Sequence, residues 1–163
     1  LISKKYPDWK LRFVGGDMGL QKNKDFKQYL IAHANSLGLG AKVEWHSFAE
    51  KISEEYLAAA IVLNFSESES FSLTCLEAMF YGRPVIATRS GGPSEIIDHN
   101  ESGILVDVKD VTAMAKAIDE LISNPEKREQ MSRIAYERVR QKFSHQNTVQ
   151  KLAEVYKAAI KDY

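Results

Sequence analysis

Ile61-Val62-Leu63-Asn64-Phe65, the loop Ser66-Glu67-Ser68-Glu69-Ser70-Phe71-Ser72, the run Leu73-Thr74-Cys75-Leu76-Glu77-Ala78-Met79-Phe80-Tyr81 and, after Gly82 and Arg83, Pro84-Val85-Ile86-Ala87-Thr88 decide the fold. The first segment is apolar and β-branched, which marks a buried strand. The second is a polar loop. The third has the composition of a helix and is closed by Gly82. The fourth is a second buried strand. A strand, a helix and a strand in succession make a crossover, and crossovers build parallel sheets.

The same alternation runs outward in both directions. Upstream, Leu11 to Val14 is a strand that meets the turn Gly15-Gly16-Asp17. Lys24 to Leu37 is predicted as a helix, with Phe26, Leu30, Ile31, Ala34 and Leu37 at helical spacing. Gly38 and Gly40 stop it, and Val43 to Trp45 is a short strand. Ser53 is expected to cap a helix over Glu54 to Ala60. Downstream, Gly91-Gly92-Pro93 turns into a short helix, Ser94 to Asp98, and Gly103 to Val106 is the last strand. Helices follow over Val111 to Ile122, Pro125 to Phe143 and Gln146 to Tyr163. The final one carries Val149, Leu152, Val155, Tyr156 and Ala159 on one face and reads most simply as a packed helix.

The expected fold is therefore α/β: a Rossmann-like parallel sheet of about five strands, helices on both faces and a helical C-terminal tail. Ligands of such sheets sit beyond the carboxyl ends of the strands. That brings three loops into play: Gly15 to Gly19, Ser66 to Ser72 and Arg89 to Pro93.

Composition sets the bounds. The chain has 163 residues, 44% hydrophobic and 27% charged, enough for one domain with a real core. Lys+Arg and Asp+Glu both number 22, a balance unlike that of a dedicated nucleic-acid binder. The longest apolar run, Leu57 to Leu63, is far short of a membrane span. One cysteine excludes an internal disulfide, and the absence of a signal-peptide pattern makes a cytoplasmic protein the expectation. With Leu1 rather than Met at the start, a processed, truncated or excised chain is the expectation. The bases crowd into Lys127 to Lys142: six of them against two acids. A solvated helix face is the plain reading; an acidic membrane surface or a partner domain is the sharper one.

The loop after Phe65 carries the chemistry. A helix N-terminus offers unpaired N–H groups and a positive dipole end, which suit phosphate. Glu69 lies in the loop and Glu77 about one turn inside the helix. A carboxylate accepts hydrogen bonds, so a vicinal diol is a natural partner. Amides for a diphosphate and carboxylates for hydroxyls describe a nucleotide-sugar site.

The segment resembles the E-x7-E signature of family-4-type retaining glycosyltransferases (group 1), with Ser70 to Leu76 between the two glutamates. A-M-F-Y-G-R-P-V-I-A-T, G-G-P-S-E-I-I-D, E-S-G-I-L-V and the upstream Y-P-D-W-K-L-R-F-V-G-G resemble that family's pattern in the same order. The resemblance implies that residues 1–163 are a C-terminal donor-binding domain, one half of a GT-B fold. It further implies that the N-terminal acceptor domain and the first part of this domain lie upstream of Leu1. Glu77 would hold the ribose hydroxyls, and Glu69, the catalytic candidate, would hold the transferred sugar. Backbone groups of Ser70, Phe71, Ser72, Leu73 and Thr74 would meet diphosphate and sugar. Phe48 and Ala49 would meet the base, and Gly15 and Gly16 would touch the ligand. The donor would be a nucleotide-diphosphate sugar, with no metal and no other cofactor.

Three departures stand out. Ser70 and Ser72 occupy positions where the family often has glycine, and Ser47 another. The family's Arg and Lys that neutralise the leaving diphosphate precede Leu1. A chain without them is expected to bind nucleotide weakly and not to turn over. Beyond the donor, the expected partners are the missing domain, a membrane surface touched by the parent, and a second copy through the final helix. No nucleic acid is expected.

Plainer readings stand beside these. Glu77 could close a capping box with Thr74, and Glu69 could be a solvated loop acid. Cys75 reads as a small core residue. His33, His46, His99 and His145 show no metal-ligand spacing. The rival functions are a nucleotide-sugar epimerase or hydrolase of the same fold, and a non-catalytic nucleotide-binding or assembly domain.

Overall fold

The computed structural model describes residues 2–161. Leu1 and the last two positions of the expected final helix, 162 and 163, lie outside the described residues. The chain divides into two compact units, Leu1–Glu55 and Tyr56–Tyr163.

Unit 1 begins with a short helix, α1 (Ile2–Lys5), and a strand, β1 (Leu11–Val14). A helix, α2 (Gln21–Ser36), and a 3₁₀ turn (Gly40–Lys42) lead to β2 (Val43–His46). β2 pairs parallel with β1, Leu11 opposite Val43 and Val14 opposite His46. Alternation along the strands sorts the side chains by face. Leu11, Phe13, Val43 and Trp45 share one face, where the Phe13 and Trp45 rings stack at 4.7 Å. The other face carries Arg12 and Glu44 opposite each other. Ala34 is the only buried side chain of unit 1 among the described residues; Phe26 and Leu37, expected on the inner face of α2, are exposed. α2 starts three residues before the expected Lys24. The Asp17–Leu20 turn (Leu20 N–H to Asp17 O, 3.0 Å) feeds it directly, and its polar first turn carries no periodic signal.

The helix α3 (Ile52–Ala58) also starts early, and Ser53 lies inside it rather than capping it. The Glu54 N–H already donates to Lys51 O at 3.0 Å, so the turn is closed one step before Ser53 could cap it. Ala59 and Ala60 leave the helix to enter β3 (Val62–Asn64).

In unit 2, β3 is followed by α4 (Leu73–Phe80), β4 (Val85–Thr88), α5 (Pro93–Ile96) and β5 (Gly103–Val106). The three strands pair parallel in the order β3-β4-β5. The five expected strands are thus all present, hydrogen-bonded as a pair and a triplet. β4 and β5 are buried along their whole length, as parallel strands covered on both faces must be. Val85, Ala87 and Leu105 pack with Cys75, Met79, Ile96 and Val139 on one face. Ile86, Ile104 and Val106 pack with Ala117, Leu121 and Met131 on the other. The helices α6 (Val111–Ser123) and α7 (Pro125–Lys142) supply much of that cover. Each has a polar cap: Asp110 accepts from Ala113 N–H at 2.8 Å, and Asn124 from Lys127 N–H at 2.9 Å.

The basic side chains of α7 are largely engaged within unit 2. Arg138 reaches Asp98 and the carbonyl of Ile96, Lys127 pairs with Glu120, Arg128 donates to Leu121 O, and Lys142 donates to Glu95 O. They cap carbonyls and hold α5 more than they form a free cationic face. The last helix, α8 (His145–Lys161), is not packed as expected: Val149, Leu152, Val155, Tyr156 and Ile160 are all exposed, from 51% to 73%. No described helix is long and apolar enough to cross a membrane.

Candidate functional site

Asn64, the last residue of β3, is 7% exposed. A buried amide left unbonded costs about 1–3 kcal/mol, so its partners define the loop that follows. Its Nδ2 donates to Ser72 Oγ at 2.7 Å and to Glu69 Oε1 at 3.2 Å, while its Oδ1 accepts the Ser66 N–H at 3.2 Å. Ser66 Oγ also donates to Glu69 Oε1, at 3.0 Å. One oxygen of the Glu69 carboxylate is therefore held twice. Its other oxygen has no protein donor among the described residues.

The backbone of Glu69 is pinned as well. Its N–H donates to Ser90 O and its carbonyl accepts from Gly92 N–H, both at 2.9 Å. This brings the loop after β4 against the loop after β3, and glycine makes the approach possible. A Cβ on Gly92 would fall 2.2 Å from Phe71 Cα; one on Gly91, whose φ is +114°, would fall 2.4 Å from Glu69 O. Gly91 and Gly92 form the turn expected of them, and their lack of side chains also serves the neighbouring loop. Phe71 packs edge-on against Phe143 at 5.9 Å, which ties the loop to the end of α7.

Ser72 opens α4 from the left-handed region, at φ 74° and ψ 78°. Its Oγ accepts from Cys75 N–H at 3.4 Å and so caps the helix. Ser72 is one of the two serines that stand where the resembled family often has glycine, and its conformation is one that glycine adopts freely. Leu73 and Thr74 are exposed in the first turn. Among the described residues, the N–H groups of Phe71, Ser72, Leu73 and Thr74 donate to no protein acceptor. Ser70 is exposed beside Glu69.

Glu77 lies one turn along α4 and is half-buried. Its Oε2 accepts from the hydroxyl of Tyr56 at 3.0 Å. Tyr56 is 8% exposed, stacks on Tyr81 at 5.6 Å, and has its phenol pKa pushed well up by burial first and by Glu77 second. It therefore stays a donor. Glu77 does not turn into the apolar interior, and its second oxygen has no donor among the described residues. Cys75, between the glutamates, is fully buried, and burial raises its thiol pKa.

The remaining candidates belong to unit 1. Gly15 has φ 152° and its N–H reaches His46 O at 3.4 Å. Gly16 sits beside Phe48, where a Cβ would lie 3.6 Å from the Phe48 Cβ. Phe48 is 78% exposed and Ala49 half-buried. Nearby in the same unit, Arg12 binds Glu44 and Glu55 at 3.0 Å each, and His46 Nδ1 lies 3.0 Å from Glu55 Oε1. Lys10 and Arg12 hold the Glu44 carboxyl below its usual pKa; His46 and Arg12 do the same for Glu55.

Asn64 and Tyr56 are the residues that sequence reasoning passed over. The signal for Asn64 was a polar residue ending an apolar strand. Tyr56 gave none, because its partner is 21 residues away. Among the described residues, no three His, Cys, Asp or Glu side chains converge as metal ligands.

Comparison with known proteins bears on family and fold. The family model described as glycosyl transferases group 1 matches residues 1–138. The D-inositol 3-phosphate glycosyltransferase of Corynebacterium urealyticum is 34% identical over 163 residues, covering 96% of this chain and 37% of that protein. The N-acetyl-alpha-D-glucosaminyl L-malate synthase of Bacillus anthracis is 34% identical over 113 residues, covering 69% of this chain and 30% of that protein. The chain thus spans about a third of the length of these curated relatives. Among solved structures, Anabaena HepE in complex with UDP superposes with a TM-score of 0.87 at 26% identity, covering 93% of this chain and 42% of that one. The C-terminal domain of a group 1 glycosyl transferase, LpcC from Francisella tularensis, gives 0.80 at 34% identity, covering 88% and 74%. Parallel strands, flanking helices and a helical tail are shared with these GT-B structures. With a family match over most of its length and that fold, the chain belongs to the glycosyl transferases group 1 family.

Proposed function

We propose that the chain is the donor-binding part of a retaining glycosyltransferase, which moves a sugar from a nucleotide diphosphate to a glycan or lipid acceptor. One observation carries this reading. Among the described residues, the β3–α4 corner presents two carboxylates, each with one oxygen held by a buried partner and the other without a protein donor, and four backbone N–H groups that bond no protein acceptor.

The physical roles follow from that layout. The first amides of α4 and its dipole meet the diphosphate, where negative charge grows as the sugar departs. The open oxygen of Glu77 accepts from the ribose hydroxyls. The open oxygen of Glu69 accepts from hydroxyls of the sugar, which orients the anomeric carbon for transfer with retained configuration. The relatives support a donor of this class: HepE has been solved with UDP and with UDP-glucose. A cytoplasmic location belongs to the same reading.

Calorimetry of the chain with UDP, UDP-glucose and GDP tests it. A charge-assisted hydrogen bond contributes about 1.5–3 kcal/mol, so Glu77→Ala should weaken UDP binding by about 10- to 100-fold. Equal affinity of the variant and the native chain removes Glu77 from the site. No uptake of any nucleotide by the native chain removes the donor-site reading itself.

A further inference from the structure

Asn64 joins the sugar-side carboxylate to the start of α4 through a single side chain. Its amide nitrogen carries two hydrogens, one directed to Ser72 Oγ at 2.7 Å and one to Glu69 Oε1 at 3.2 Å. Its oxygen takes the Ser66 N–H, so both amide hydrogens and the oxygen are engaged. The orientation is dictated by chemistry: a flipped amide would aim its oxygen at a carboxylate. Aspartate would offer only acceptors here, serine one donor and leucine none.

We propose that Asn64 is a positioning residue of the donor site, holding the Glu69 carboxylate and the N-terminus of α4 at one fixed spacing. Sugar hydroxyls and diphosphate are then met by groups set in place before the ligand arrives, which lowers the ordering cost of binding. Asn64 touches no ligand in this arrangement; it acts through Glu69 and Ser72. The proposal rests on the donor-site reading given above.

The test is a double-mutant cycle read with UDP and UDP-glucose as probes. Asn64→Ala should weaken UDP-glucose about tenfold more than it weakens UDP. Added to Glu69→Ala, it should lower the ratio of UDP-glucose to UDP affinity no more than about twofold further, because the sugar-side effect passes through a carboxylate already gone, while the route through Ser72 weakens both probes alike. Equal losses for the two probes in Asn64→Ala, or ratio losses that multiply in the double variant, overturn the proposal. Asn64→Asp keeps the side chain's size and guards against a variant that fails to fold. Its carboxyl can donate to Glu69 only when protonated, so its ratio of UDP-glucose to UDP affinity, divided by the native chain's ratio at the same pH to remove the titration of UDP's own terminal phosphate, should recover from about pH 8 to about pH 5. A flat normalised ratio overturns the proposal.

One arm does not depend on the donor. In proton–nitrogen spectra of the ligand-free chain, Glu69→Gln and Ser72→Ala should each shift the side-chain amide signals of Asn64. Signals unmoved by both substitutions overturn the hub. If the native chain takes up no UDP-glucose, the donor reading falls, and these spectra decide for or against the hub on their own.

Discussion

Ser72 concentrates two opposed effects in one residue. A non-glycine side chain at φ 74° costs on the order of 1 kcal/mol. Its hydroxyl returns a helix cap and accepts from buried Asn64. Ser72→Gly and Ser72→Ala both lose the cap and the acceptor of the buried Asn64 amide, and only glycine removes the strain. Both should be less stable than the native chain, alanine by about 1 kcal/mol more than glycine, read from urea midpoints. An alanine variant as stable as the glycine variant would contradict the argument. At this scale the sequence was legible in part. The two glutamates and the loop that bears Glu69 stood out because carboxylates at a helix start have a recognisable use. The left-handed turn at Ser72 and the grip of Asn64 and Tyr56 did not, since each depends on partners that only folding brings near.

At the scale of elements, β5 shows how an edge is protected. The Leu105 N–H donates to Nδ1 of His99 at 3.0 Å, and the Asn100 N–H donates to Gly103 O at 2.7 Å. A sheet edge is thereby paired with a turn of its own chain. His99 is an exposed residue, yet burial of its ring on the strand side, and Arg89 second, lower its pKa below the usual 6.5. An Nδ1 that accepts a hydrogen bond must be unprotonated. As pH falls below about 6.5 the unfolded chain takes up a proton first, so stability declines until the folded pKa is passed. Urea midpoints near pH 7.5 and near pH 5.5 should differ more for the native chain than for His99→Ala; equal differences would contradict the assignment. Buried strands were the easiest elements to read, because β4 and β5 are short apolar runs bounded by Gly and Pro. The starts of α2 and α3 were missed, since their first turns are polar and capped by preceding turns. The division of five strands into a pair and a triplet was not legible, because strand pairing is a tertiary choice and periodicity records only which residues are apolar.

Taken as a whole, the molecule holds its burial unevenly. β4 and β5 in unit 2 are buried at every position, whereas every residue of β1 in unit 1 is exposed. Local stability follows buried apolar contact, so amides of β4 and β5 should outlast those of β1 and β2 in deuterium exchange by at least about tenfold. Uniform protection across both units would refute that. Composition foretold a core of ordinary size, yet it could not say that most of the core would gather in Tyr56–Tyr163. The bare apolar stripe of α8 adds a consequence of another kind. Because Leu152, Val155 and Ile160 remain mostly exposed in this chain, they contribute little to how firmly it folds. They govern instead how it behaves in a crowd: its solubility ceiling, its stickiness on a column and its tendency to precipitate can all be altered from α8 while the melting temperature stays where it was.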